Sequence, residues 1–148
     1  MASISGQVFI CRPIEDVFDF VADERNNYDP SVFQTDLLTN GHIGVGTRFR
    51  SMSTNRGKTV EMIVEITEFK RPRRLGSSTH LGSMDIHSAL VFEPTAEGTL
   101  MQWSSVIKPR GLLNLLSPLI ALYGRRQISA IWANLKQTLE AAKEGIYE

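Results

Sequence analysis

At 148 residues, with 42% hydrophobic and 22% charged residues, the chain has the size of a single domain and the composition of a soluble globular protein, which leaves no compositional argument for disorder. Lys plus Arg and Asp plus Glu both number 16, so no global field draws nucleic acid or an anionic membrane, and nucleic acid is not an expected partner. The only cysteine, Cys11, excludes an internal disulfide, and the opening MASISGQVF carries neither a basic nor an apolar signal region, so a reducing, cytoplasmic setting is expected.

Residues 3–11 alternate around Ile4, Gly6, Val8 and Ile10 as a half-buried strand does, and Pro13 suits the first turn of a helix that follows. Val17, Phe18 and Val21 share one face of that helix. The run DERNNYDP ends it, with room for a second short turn before Pro30, and places Tyr28 and Pro30 at the rim of the sheet. Six strands follow at 32–39, 47–54, 59–69, 75–80, 84–93 and 99–108. The breaks NGHIGVG, NRG, KRPRR, LGSM and PTAEG carry turn chemistry. Connections this short predict an antiparallel meander, and the strand–helix alternation of a parallel sheet is missing.

The longest apolar stretch, Leu112 to Tyr123, is interrupted by Asn114, Ser117 and Pro118 and is too short to span a bilayer, so no stable membrane insertion is expected. Ser117 and Pro118 read as the N-cap and first residue of a long helix. Ile128, Ile131, Leu135, Leu139 and Ala142 follow the spacing of its buried stripe, with Arg125, Lys136 and Lys143 facing water. The fold class is α+β: one domain over 1–148, a seven-stranded curved antiparallel sheet around a long C-terminal helix.

This order of elements resembles the START-like (SRPBCC) superfamily with its helix-grip fold, and in particular the bacterial polyketide cyclase/dehydrase-like branch. The resemblance is carried by RPIEDVFDFVAD (12–23), GVGTRFR (44–50), VEITEFKRPRRL (64–75), FEPTAEGTLMQW (92–103) and LKQTLEAA (135–142), which together reach across nearly the whole chain. It implies a deep pocket between the concave face of the sheet and the C-terminal helix. Members bind lipids, hormones, polyketides or aromatic compounds, and a minority perform cyclisation or dehydration. A fold shared by carriers, sensors and enzymes does not choose among them.

Strand alternation turns Val60, Met62, Val64 and Ile66 inward, together with Met101, Trp103, Ser105 and Ile107. Pairing across PTAEG adds Ile86, Ser88, Leu90 and Phe92, and the strand at 47–54 adds Phe49, Ser51 and Ser53. The expected ligand contacts are Phe49, Ser51, Met62, Ser88, Phe92, Met101, Trp103 and Ser105, an apolar wall with a few hydroxyls. The competing reading is that most of these residues fill the core.

His80, Asp85 and His87 flank the LGSM turn, where a hairpin sets His80 opposite Asp85. Such a trio can hold a metal or move a proton, but its parity is that of the outer face, and no metal site is expected. Arg48 and Arg50 read as a surface ion-pair ladder with Glu61 and Glu65; an inverted register would turn Arg50 inward, where cyclase-like relatives use an arginine to steady an enolate. Lys70, Arg71, Arg73 and Arg74 read as a solvated turn, and Cys11 as a small buried hydrophobe. The catalytic candidates are Tyr28, Arg50 and His80. The leucine-rich segment GLLNLLSPLIALYG is apolar on more than one face, and either burial against the early helices or contact with a membrane or partner would account for it. The expected function is binding or transport of a hydrophobic small molecule without a cofactor, by a monomer or homodimer, and the alternative is a polyketide cyclase or dehydratase.

Overall fold

The computed structural model describes residues 2–26, 28–55 and 57–146, and of these the side chains at 55, 113, 114 and 142–146 are outside the description, as are the expected roles of Ala142 and Lys143. Seven strands form one antiparallel sheet: β1 (Ala2–Ile10), β2 (Val32–Leu37), β3 (Arg48–Asn55), β4 (Lys58–Lys70), β5 (Arg74–Leu81), β6 (Met84–Pro94) and β7 (Thr99–Pro109). Their spatial order is β1-β7-β6-β5-β4-β3-β2, so β2 to β7 run as a meander and β1 closes onto the last strand.

Helix α1 (Ile14–Ala22) and a 3-10 turn (Glu24–Asn26) link β1 to β2, and a second 3-10 turn (Gly111–Leu116) leads into α2 (Ser117–Ile146). In α1 the buried residues Ile14, Val17, Phe18, Val21 and Ala22 recur at helical spacing, which fixes the face laid on the sheet. Phe18 then packs edge-on against Phe69 and Phe92, with ring centroids 5.2 and 5.3 Å away.

The inward parity read from the sequence is observed. Phe49 pairs with Val64 and Ser51 with Met62 across β3 and β4, while Phe92 pairs with Met101 and Ser88 with Ser105 across β6 and β7. In β7 Thr99, Met101, Trp103, Ser105, Ile107 and Pro109 are buried in strict alternation. Bulges interrupt the ladders between Val32 and Gln34 and between Ile66 and Glu68.

α2 packs along β1, burying Leu135 and Leu139. Polar contacts stitch its far end to the end of β1: Arg12 donates to the Leu139 carbonyl at 2.7 Å, and the Cys11 amide donates to Glu140 at 2.9 Å. Lys136 remains 39% exposed, as expected, and also donates to the Phe9 carbonyl at 2.8 Å and to Glu140 at 2.9 Å. Cys11 is only partly buried, its thiol donating to the Glu97 carbonyl.

Candidate functional site: a two-chambered cavity under the C-terminal helix

Because the sheet is curved and α2 spans it, the side chains of the two do not meet everywhere. An inner cavity of about 190 Å³ lies among β2 to β7, the end of α1 and the middle of α2. An outer cavity of about 500 Å³ lies beside it, under the first turns of α2. Asp29, Met62, Ile86, Ile128 and Ile131 line both, so the two chambers adjoin at these five residues. Leu116, Leu119 and Tyr123 line the outer one and are 47%, 64% and 48% exposed, which brings that chamber to the surface.

The inner chamber is apolar with a band of hydroxyls. Ser77, Ser88 and Ser105 stand side by side on β5, β6 and β7, and Ser88 and Ser105 share a hydrogen bond of 3.0 Å. Thr35 and Ser51 share another at 3.1 Å on the opposite flank, and Thr79 completes the set. Paired hydroxyls are satisfied when the chamber is dry, yet each retains hydrogen-bonding capacity for a guest.

The remaining polar groups come from the 3-10 turn, the segment after it and α2. Tyr28, expected at the rim, is buried, and its ring stacks on Trp132 with centroids 5.5 Å apart. The Asn134 side chain donates to the Tyr28 carbonyl and holds this otherwise irregular segment against the helix. Burial first, and then the charges of Glu24 and Asp29, push the Tyr28 phenol well above its usual range, so it keeps its proton at neutral pH. Glu24 is only partly buried, but loss of solvent in the chamber wall, followed by repulsion from Asp29 and Asp23, pushes its carboxyl up to about 7. The indole Nε1 of Trp132 is buried with no hydrogen-bond partner among the described residues.

Of the residues expected to touch a ligand, Ser51, Met62, Ser88 and Ser105 line the inner chamber. Phe49, Phe92, Met101 and Trp103 line neither chamber; they are 0%, 0%, 0% and 5% exposed and belong to the packed core. All eight have inward parity. The difference is what lies above them: Phe18 of α1 covers Phe92, and the Trp103 indole fills the space over Gly6 of β1.

Among the catalytic candidates, Tyr28 alone lines a chamber. Arg50 lies on the convex face and pairs with Glu61 at 2.7 Å, while Arg48 reaches Glu65 at 3.7 Å, which is the surface ladder. His80 also lies outside, 2.6 Å from Asp85, and Asp85 accepts from Arg110 at 2.9 Å. Hydrogen bonds from Arg110 and then His80 hold the Asp85 carboxyl below the usual carboxylate range. His87 is exposed opposite Ser78 and Val106. Among the described residues no group of three His, Cys, Asp or Glu side chains is placed to hold a metal. In the basic turn, Arg71 makes a two-pronged bond to Asp19 at 2.7 and 2.8 Å, and Arg74 reaches Glu68 at 3.3 Å.

Glu24, Ser77, Thr79 and Trp132 are chamber residues that escaped the sequence reading. The LGSM hairpin that sets His80 opposite Asp85 also sets Thr79 opposite Ile86 and Ser77 opposite Ser88, so these two were within reach. Trp132 falls four residues after Ile128 and three before Leu135, on the same helical stripe. Glu24 carries no such signal. Leu112, Leu115, Leu119 and Leu122 of the leucine-rich segment are exposed, so its burial against the early helices does not occur for these side chains. No helix in the described residues is long and apolar enough to cross a membrane.

The architecture recurs in solved structures. The TTHA0849 protein of Thermus thermophilus superposes with a TM-score of 0.77 at 20% identity, covering 95% of this chain and 98% of that one. The protein of unknown function SA2116 of Staphylococcus aureus gives 0.78 at 8% identity, covering 97% and 96%. A START superfamily protein of Mycobacterium smegmatis gives 0.74 at 13% identity, covering 99% of each. At these identities the likeness is one of fold. No curated protein matches the sequence. The family model described as polyketide cyclase/dehydrase and lipid transport matches residues 1–140, nearly the full chain. This match shows that the chain belongs to the polyketide cyclase/dehydrase and lipid transport family.

Proposed function

We propose that this protein binds and carries a hydrophobic small molecule, such as a lipid, a polyketide or an aromatic metabolite, in the two chambers under α2. Family membership supports hydrophobic ligand binding in general. The observation that carries the proposal is the pair of adjoining cavities: Met62, Ile86, Ile128 and Ile131 line both a hydroxyl-banded inner space and a larger apolar one that reaches the surface. Ser51, Met62, Ser88 and Ser105 are the predicted contacts among the residues singled out from sequence. The test is native mass spectrometry of gently purified protein, then denaturing extraction of whatever is released. A stoichiometric apolar adduct is the expected result. Failure to take up any apolar compound, with Nile red as the neutral reporter, would overturn the proposal.

A second reading, cyclisation or dehydration of a polyketide-like substrate, is favoured by Glu24. A carboxyl that titrates near neutrality inside a chamber is suited to passing a proton in either direction, and the protonated Tyr28 hydroxyl beside it suits stabilisation of an enolate oxygen. This reading requires turnover that Glu24→Gln abolishes while ligand uptake persists. Turnover unchanged by that substitution would remove Glu24 from the chemistry.

A further inference from the structure

We infer that the exposed apolar face formed by the second 3-10 turn and the first turns of α2 docks the protein peripherally on an anionic lipid bilayer, with its leucines in the headgroup region, Arg125 and Arg126 against the lipid anions, and the surface end of the outer chamber turned to the membrane. This goes beyond ligand binding, since it assigns a surface and a partner that a carrier does not require.

The face is built by two successive elements. Leu112 and Leu115 stand three residues apart, which in a 3-10 turn is one face. In α2 the spacing of Leu119, Leu122, Tyr123 and Arg126 puts all four on one helical face. With Leu116, the leucines and Tyr123 are between 47% and 85% exposed, so six large apolar side chains meet solvent within residues 112–123. Elsewhere among the described residues such exposure is limited to Phe33, Leu38 and Val45. A scattered apolar side chain needs no explanation, but a contiguous patch marks a surface that something covers.

Its charge decides what that something is. The chain as a whole is neutral, yet no aspartate or glutamate occurs between Glu97 and Glu140, a stretch that holds Lys108, Arg110, Arg125, Arg126 and Lys136. Arg110 pairs with Asp85 and Lys136 with Glu140. Arg125 and Arg126 are exposed, and the one bond from Arg125, to the Ser5 carbonyl at 3.2 Å, leaves its charge uncancelled. A second copy docked by the same face about a two-fold axis would bring two arginine pairs to one interface. Nucleic acid would answer the arginines and leave the leucines in water. An anionic bilayer answers both, because apolar side chains enter the headgroup boundary while arginines meet the surface charge. Tyr123, whose hydroxyl accepts from Gln127 at 2.8 Å, has the amphipathic ring suited to that depth. Leu116, Leu119 and Tyr123 also line the outer chamber, so a protein seated on them would cap it, whereas a bilayer offers it a reservoir of apolar molecules.

The test is co-sedimentation of the full chain with vesicles of phosphatidylcholine alone and of phosphatidylcholine in which about a third of the lipid is phosphatidylserine. Binding is expected on the mixed vesicles and about thirtyfold weaker on phosphatidylcholine, the ratio that two arginines at a membrane surface supply. High salt should erase that ratio, and so should Arg125→Gln combined with Arg126→Gln. Leu115 and Leu122 line neither chamber. Leu115→Gln combined with Leu122→Gln should therefore weaken binding to mixed vesicles by about tenfold or more. Its urea midpoint, and its uptake of Nile red measured without vesicles, should match the wild type. No binding to either vesicle, equal binding to both, or undiminished binding by the leucine variant would overturn the inference. Self-association of the wild type that the leucine variant abolishes would give the face to a second copy and overturn it as well. Vesicle binding by a protein that takes up no Nile red would sink the carrier reading and leave the docking face standing.

Discussion

Tyr28 and Trp132 stack with ring centroids 5.5 Å apart and planes 28° from parallel, joining a segment without regular structure to the middle of α2. Both residues line the inner chamber, so chamber shape and local stability depend on the same contact. A double-mutant cycle with Tyr28→Ala and Trp132→Ala, followed by urea unfolding, should give a coupling of about 0.5–1.5 kcal/mol. Strict additivity would mean that the rings do not support one another in solution.

Glu24 predicts a pH dependence of known sign. Its carboxyl is pushed up to about 7 from an ordinary 4.5, so the folded state holds this proton more tightly than the unfolded chain does. Its contribution is therefore full below about 4.5 and is lost as pH rises through about 7. Asp19, Asp23 and Asp85 shift the other way through their arginine partners; what they contribute is present above 3.8 and lost in acid, outside this window. The urea midpoint of the wild type should fall between pH 4.5 and pH 7.5, and that of Glu24→Gln should fall less. Equal slopes would show that Glu24 titrates normally.

Phe92 and Ser88 face the same way on β6 but differ in what covers them. Phe92→Ala should cost about 3–5 kcal/mol, because Phe18, Phe69 and their neighbours cannot collapse into the space left. Ser88→Ala should cost about 1 kcal/mol or less, since it breaks one neutral hydrogen bond at the edge of a cavity that Ser105 can still use. Comparable losses for the two would place Ser88 in the packed core as well.

This contrast shows where sequence reading runs out. Alternation along β3, β4, β6 and β7 made the inward face legible, because a period of two is a property of the strand itself. Which inward residues are covered depends on where α1 and α2 land, and periodicity within a strand carries no trace of that. Phe92 and Ser88, or Trp103 and Ser105, are therefore indistinguishable in sequence, yet one of each pair is core and the other is wall. Trp132 and Ser77 were legible from helix spacing and hairpin register. Glu24 becomes visible only when the chain turn brings it beside Asp29 and Tyr28.

Two glycines test how tightly the closed edge of the sheet is built. A Cβ on Gly6 would lie 2.7 Å from Cζ2 of Trp103, a ring that can tilt by a small angle, so Gly6→Ala should cost about 1–3 kcal/mol through overpacking. A Cβ on Gly98 would lie 2.3 Å from the Ile10 carbonyl oxygen and 2.9 Å from Cys11 Cα, both backbone atoms that cannot step aside. Their positions are fixed by the same corner: Thr99 donates to the Arg12 carbonyl at 2.8 Å, and Arg12 and the Cys11 amide are tied to α2. Gly98→Ala must therefore move β1 away from β7 or loosen the helix, and it should lower the urea midpoint further than Gly6→Ala does. The reverse order would mean that the corner yields more readily than the tryptophan, and that α2 is held chiefly by Leu135 and Leu139 rather than by the polar contacts at its far end.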